Sequence, residues 1–333
     1  MARRARKTLW PRALQRQFDQ LTRAAVKAGT RAVVKAMRPT PALARESAGW
    51  STGIATATGG ARRYRLYCPP GTRRDERLPL LVMLHGCDQD IAAFTASTRM
   101  DRIAARERFI VLFAEQDRLH NAHGCWNWFE TRSGRAQAEA AIIDAAVGQA
   151  CLRHRVDPDR IAIAGFSAGA GLAALVATRY PQRYRAVAMH SGVGPGAAHS
   201  SATALGAMRG RRAGSAPMLD HPSGPWPPLL VVQGSVDRVV AASNGAAVAA
   251  QWAHHAGAKA GTERTVQRGE RRAARLTDYR AADGRVVATL CEVDGLGHAW
   301  SGGAARQRYS DAQGPDASIM IWRFCARCFA AVA

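Results

Sequence analysis

Arg160-Ile161-Ala162-Ile163-Ala164-Gly165-Phe166-Ser167-Ala168-Gly169-Ala170-Gly171-Leu172-Ala173-Ala174 joins three local patterns in direct succession. A short β-prone apolar run at 161–164 meets Gly165-Phe166-Ser167-Ala168-Gly169 and passes straight into an Ala-rich helical pattern. Strand, G-x-S-x-G, helix is the context in which this motif makes a nucleophile elbow, a strained turn that projects the serine hydroxyl from the sheet edge. Gly165 and Gly169 carry no Cβ, so strand and helix can approach closely. A bare G-x-S-x-G also recurs by chance and fits a Gly/Ser turn in another α/β protein. The partners of Ser167 must decide.

Residues 78–84 form a continuous apolar run, the pattern of a strand buried on both faces, and end in His85-Gly86-Cys87. Residues 109–113, 187–190, 229–233 and 286–293 read as further strands. Residues 63–68 read as an alternating strand that stops at Pro69-Pro70-Gly71. Helical patterns cover 98–108, 135–154, 243–256 and 317–329. Strands alternating with helices of this length predict an α/β fold, a mainly parallel central sheet with helices on both faces. Residues 61–333 read as one catalytic domain, and 39–60, rich in Pro, Ala, Gly, Ser and Thr, as a linker.

Ahead of the linker, residues 1–38 hold eleven Lys/Arg against the single acid Asp19, almost half of the chain's net charge of +22. Trp10, Leu14, Phe18 and Leu21 fall on one helical face and Arg12, Arg16, Arg23 and Lys27 on the other. The spacing predicts a basic amphipathic helix ended by Pro39 and Pro41. Such a helix packs on its own domain or lies on an anionic or hydrophobic surface. Nucleic acid is the least supported partner, because no reading motif accompanies the charge. No apolar h-region follows the first arginines and no apolar run is long enough to span a bilayer. The expected location is cytoplasmic, the alternative being export by a route without a recognisable signal.

A serine hydroxyl needs a base to take its proton and an acid to orient that base. In hydrolases built on the strand–elbow–helix unit these follow in the order Ser, Asp/Glu, His, on loops after strands. Asp237 turns off the end of the 229–233 run in Gly234-Ser235-Val236-Asp237, and His298 follows the 286–293 run in Gly295-Leu296-Gly297-His298. The expected triad is Ser167, Asp237 and His298. Ser191 follows a strand without flanking glycines on both sides, Asp294 is too close to His298 to be the better acid, and His85 belongs to the loop after the 78–84 run. Backbone N–H donors for an oxyanion are expected from Ala168, after the nucleophile, and from Cys87. Trp126, Trp128 and Trp300 read either as an apolar substrate subsite or as core aromatics. The seven cysteines are scattered; Cys325-x-x-Cys328 lacks the second pair or nearby histidines of a zinc site, so no metal or organic cofactor is expected.

Leu84-His85-Gly86-Cys87 with Gln89, Glu115-Gln116, Cys125-Trp126-Asn127-Trp128-Phe129, Gly165-Phe166-Ser167-Ala168-Gly169 and Gly297-His298-Ala299-Trp300 occur in that order. Together they resemble the catalytic domain of type 1 short-chain-length polyhydroxyalkanoate depolymerases, the poly(3-hydroxybutyrate) depolymerase esterases, across about residues 62–329. The resemblance implies an α/β-hydrolase fold, Ser167 as nucleophile, Asp237 as acid and His298 as base, without a cofactor. It also puts Cys87 and Cys125 where relatives can pair as a disulfide. The implied substrates are polyester granules or soluble hydroxybutyrate oligomers, with acetylxylan and feruloyl esters as alternatives. The resemblance implies, for secreted members, a signal, catalytic domain, linker and C-terminal binding module; the expectation here is a basic helix in place of signal and module. A polyester granule is therefore the expected surface for residues 1–38, and a non-catalytic granule-binding protein is the rival of another class.

Overall fold

The computed structural model describes residues 49–73, 75–211 and 224–331. The expected helix at 1–38 lies outside the described residues, as does the part of the expected linker up to residue 48.

Among the described residues, six apolar strands make the parallel centre of the sheet: β3 (Leu78–Leu84), β4 (Ile110–Ala114), β5 (Val156–Phe166), β6 (Ala186–His190), β7 (Leu229–Gly234) and β11 (Val286–Val293). They stand in the spatial order β4-β3-β5-β6-β7-β11. One margin is extended by β1 (Trp50–Ala57) and β2 (Gly60–Tyr67), an antiparallel hairpin joined through β2 to β4. The other carries β10 (Ala274–Arg280), antiparallel to β11, with the short β8 (Lys259–Ala260) and β9 (Arg264–Val266) on its far side.

Side chains alternate across a strand, so a run apolar at every position needs cover on both faces. β3 shows this directly. Leu80, Val82 and Leu84 pack in one core with residues of α3 (Arg135–Arg153), α4 (Ala168–Arg179) and α6 (Ser243–His255). Leu81 and Met83 pack in the opposite core with residues of α1 (Ile91–Thr98), α2 (Met100–Glu107) and α7 (Ala317–Ala330). A further helix, α5 (Ser201–Met208), is closed at its start by a capping box between Ser200 and Thr203.

One expectation is corrected and one helix is added. Residues 50–57 are strand, not linker: β1 pairs along its length with β2, from Trp50 opposite Tyr67 to Ala57 opposite Gly60. Gly53, which reads as a strand breaker, lies under the ring of Tyr64, where a Cβ would come within 2.2 Å of it. The helix expected at 98–108 is α2, and α1, which the sequence reading left out, precedes it. Asp90 caps α1 through Ala93 N, and Arg99, at φ 53°, turns the chain into α2.

Candidate active site

Parallel strands deliver their C-terminal ends to one edge of the sheet, and the chemistry gathers there. β5 ends at Phe166, and Ser167 follows at φ 55° and ψ −119°, a backbone conformation that costs a non-glycine residue about 1–3 kcal/mol. The surroundings hold it. Ser167 N donates to His190 O at 2.8 Å, while Ser167 O accepts from Ala170 N and Gly171 N as α4 begins. A Cβ on Gly169 would lie 2.2 Å from Leu84 O and 2.5 Å from His85 O. This close approach sets the N-terminus of α4 against the end of β3.

Two loops bring the partners. Asp237 follows β7, and its Oδ1 accepts from Val239 N and Val240 N, both at 2.9 Å. His298 follows β11, and the backbone of its loop closes on Gly234, whose Cβ position is 2.3 Å from Leu296 O. His298 Nε2 lies 3.0 Å from Ser167 Oγ, and Nδ1 lies 2.8 Å from Asp237 Oδ2. An ionised carboxylate only accepts, so Nδ1–H donates to Asp237 and Nε2 is left to accept from the serine hydroxyl. Burial acts to raise the Asp237 carboxyl, but the hydrogen bond and charge of His298 and the two N–H donors outweigh it and hold it below its ordinary range. The carboxylate side chain is fully covered while the imidazole keeps 10% exposure.

The loop after β3 approaches from the other side. His85 is buried, and burial pushes its pKa down, leaving a neutral ring. Its Nδ1–H donates to Gly86 O at 2.8 Å and its Nε2 accepts from Gln116 N at 3.1 Å. Gly86 N donates to Gln89 Oε1, and Cys87 is bonded to Cys125. The N–H groups of Cys87 and Ala168 donate to no other group among the described residues, which leaves both free for a substrate oxygen.

The tryptophans expected as a subsite are placed otherwise. Trp126 and Trp300 are 0% and 1% exposed and Trp128 is 8% exposed. Trp126 packs beside His85, and Trp128 against Gly171 of α4. Trp300 stacks on His190, meets Phe94 edge-on and donates Nε1–H to Ser318 Oγ. Buried rings have almost no face to offer an acyl chain, so these three support the site from behind.

His190 is a member that spacing did not reveal. Its Nε2 accepts from Ser301 N, three residues past the base, while its carbonyl holds Ser167 N. Burial, aided by the neighbouring His298, pushes its pKa down to about 3, so it stays neutral and remains an acceptor. A histidine at the end of an apolar strand, beside Phe166 in the sheet register, was the available signal. Glu139 is another, an acid in phase with Ile142, Ile143 and Ala146 on the apolar stripe of α3.

The family described as Esterase PHB depolymerase matches residues 62–275. This chain belongs to that family. Poly(3-hydroxyalkanoate) depolymerase C of Paucimonas lemoignei is 31% identical over 182 residues, which is 50% of this chain and 42% of that protein. Feruloyl esterase B of Neurospora crassa is 27% identical over 116 residues, 34% of this chain and 39% of that protein. The chain thus spans less than half the length of these curated relatives. Acetyl xylan esterase from Aspergillus awamori superposes with a TM-score of 0.58 at 18% identity, covering 74% of this chain and 94% of that one, which shows the shared fold. The PHB depolymerase-family chain carries the α/β-hydrolase fold, a mixed sheet with helices on both faces.

Proposed function

We propose that this esterase cleaves short-chain 3-hydroxyalkanoate esters, poly(3-hydroxybutyrate) or its oligomers, through an acyl-enzyme on Ser167. The observation that carries the reading is the Ser167–His298–Asp237 relay, with links of 3.0 Å and 2.8 Å. Ser167 Oγ attacks the ester carbonyl as His298 Nε2 takes its proton, and Asp237 stabilises the imidazolium. The carbonyl oxygen becomes an oxyanion that accepts from Cys87 N–H and Ala168 N–H. Collapse breaks the ester bond, and the proton on His298 leaves with the alcohol. Water then repeats the sequence on the acyl-enzyme and releases the acid.

Ser167→Ala is expected to abolish hydrolysis of p-nitrophenyl butyrate; substantial turnover by a folded variant would refute the assignment. The similarity to feruloyl esterase B favours a second reading, an ester on a plant polysaccharide. Rates on amorphous polyester granules, soluble hydroxybutyrate oligomers, acetylated xylan and feruloylated arabinoxylan separate the two.

Residues 1–38 are proposed to rest on the granule through Leu14, Phe18 and Leu21. Their deletion is expected to lower retention on granules while small-ester hydrolysis persists. Equal retention would argue against the docking role. A cytoplasmic location remains a proposal, and the Cys87–Cys125 bond pulls against it, because such bonds persist mainly in oxidising compartments.

A further inference from the structure

Behind the loop that carries Cys87 lies a buried polar cluster that the relay does not use. Its centre is Glu139, which shares only 2% side-chain exposure with its ion-pair partner Arg62. Glu139 Oε1 accepts from Arg62 Nη2 at 3.1 Å, Gln116 Nε2 at 2.6 Å and Asn127 Nδ2 at 2.7 Å. Its Oε2 accepts from Asn127 N at 2.8 Å. Gln116 Nε2 also donates to Cys125 O at 2.9 Å, and Gln116 Oε1 accepts from Arg62 Nε. The backbone groups on either side of Trp126, Cys125 C=O and Asn127 N–H, are thereby fixed to one carboxylate and its amide neighbour.

We propose that Glu139 is a positioning residue for the oxyanion donor at Cys87. Two paths run from the cluster to that N–H. One is covalent, from the pinned Cys125 through the disulfide to Cys87. The other passes through Gln116, whose backbone N–H donates to His85 Nε2, while His85 Nδ1–H donates to Gly86 O. Both end on the residues that aim the Cys87 N–H. A carboxylate suits the hub because it accepts several hydrogen bonds at once, and charge-assisted bonds are shorter and stronger than neutral ones. Arg62 keeps the buried charge compensated. An amide at 139 presents one acceptor oxygen and a donor NH₂ to four donors, so at least one contact turns repulsive and the 125–127 segment shifts. An oxyanion donor displaced by a fraction of an ångström loses its grip on the tetrahedral species before it affects ground-state binding.

This inference rests on the acyl-enzyme reading above, and the test separates the two. Glu139→Gln is assayed on p-nitrophenyl butyrate at a temperature where circular dichroism shows it folded. An alkyl trifluoromethyl ketone serves as the second probe: Ser167 Oγ bonds to its carbonyl carbon, the proton passes to His298, and the ketone oxygen becomes the oxyanion. We expect kcat to fall roughly 10- to 100-fold with KM within about threefold of wild type. Affinity for the ketone should fall by the same factor as kcat/KM. A folded variant with wild-type kcat and ketone affinity overturns the positioning role, as does a loss confined to thermal stability. If Glu139→Gln does not fold, Asn127→Ala, which removes one donor and leaves the carboxylate three, is expected to show the same paired loss at smaller size; no loss there overturns the proposal equally. A wild-type protein that neither hydrolyses the ester nor binds the ketone overturns the acyl-enzyme reading beneath it.

Discussion

Single atoms decide whether the relay works, and Asp237 is the sharpest case. Its carboxylate selects the tautomer in which His298 Nδ1 carries the proton and Nε2 faces Ser167. Asp237→Asn preserves the shape but allows the opposite tautomer, so kcat is expected to drop on the order of 10⁴-fold with KM little changed. Steady-state kinetics on p-nitrophenyl butyrate check this. His190 makes a pH prediction. Its folded pKa of about 3 lies below the ordinary value of 6.5, so between those values the unfolded chain binds more protons than the native one. Its neutral state contributes fully above pH 6.5 and loses stability as pH falls toward 3, at up to about 1.4 kcal/mol per pH unit. Buried His85 acts in the same direction. Urea midpoints measured between pH 7.5 and about 4.5 are expected to decline, and less steeply in a His190→Gln variant.

At the scale of elements, the site depends on how closely α4 approaches β3. Gly169→Ala places a methyl 2.2 Å from the Leu84 carbonyl, too close for any real Cβ, and backbone cannot swing aside as a side chain can. The helix must move away from the strand, which overpacking arguments put at about 1–3 kcal/mol or more. A lower melting temperature together with lost esterase activity is expected. The elbow itself was legible because strand, turn and helix are adjacent in sequence. The β1 strand was not, since Ser51, Thr52, Gly53 and Thr56 carry turn-like signals and only pairing with β2 makes them a strand. Helix α1 was not legible either, because its eight residues span barely two turns, too few to show a helical period.

Across the whole molecule, the strand order makes residues 50–57 part of the sheet and not a tether to it. Removing residues 1–47 is expected to leave a folded esterase, whereas removing residues 1–60 strips β1 and exposes the outer edge of β2 and the side of α3 that β1 covers. Soluble expression and small-ester hydrolysis of the two truncations provide the comparison, and equal behaviour would return residues 50–60 to the role of linker. The Cys87–Cys125 bond closes a sequence separation of 38 residues, so its reduction is expected to destabilise the fold by about 2–4 kcal/mol. Melting curves with and without dithiothreitol measure that loss.

By itself the sequence determined the alternation of buried strands and helices, the elbow at Ser167, and the order in which Asp237 and His298 follow it. These are local patterns, and local patterns survive in a one-dimensional reading. Only the tertiary structure decided that Trp126, Trp128 and Trp300 pack behind the site, that His190 ties the nucleophile to the loop of the base, and that Glu139 gathers four donors beneath the Cys87 loop. Each of those facts is a contact between segments far apart in the chain. Burial and hydrogen-bond saturation belong to the packed molecule, and no single stretch of residues contains them.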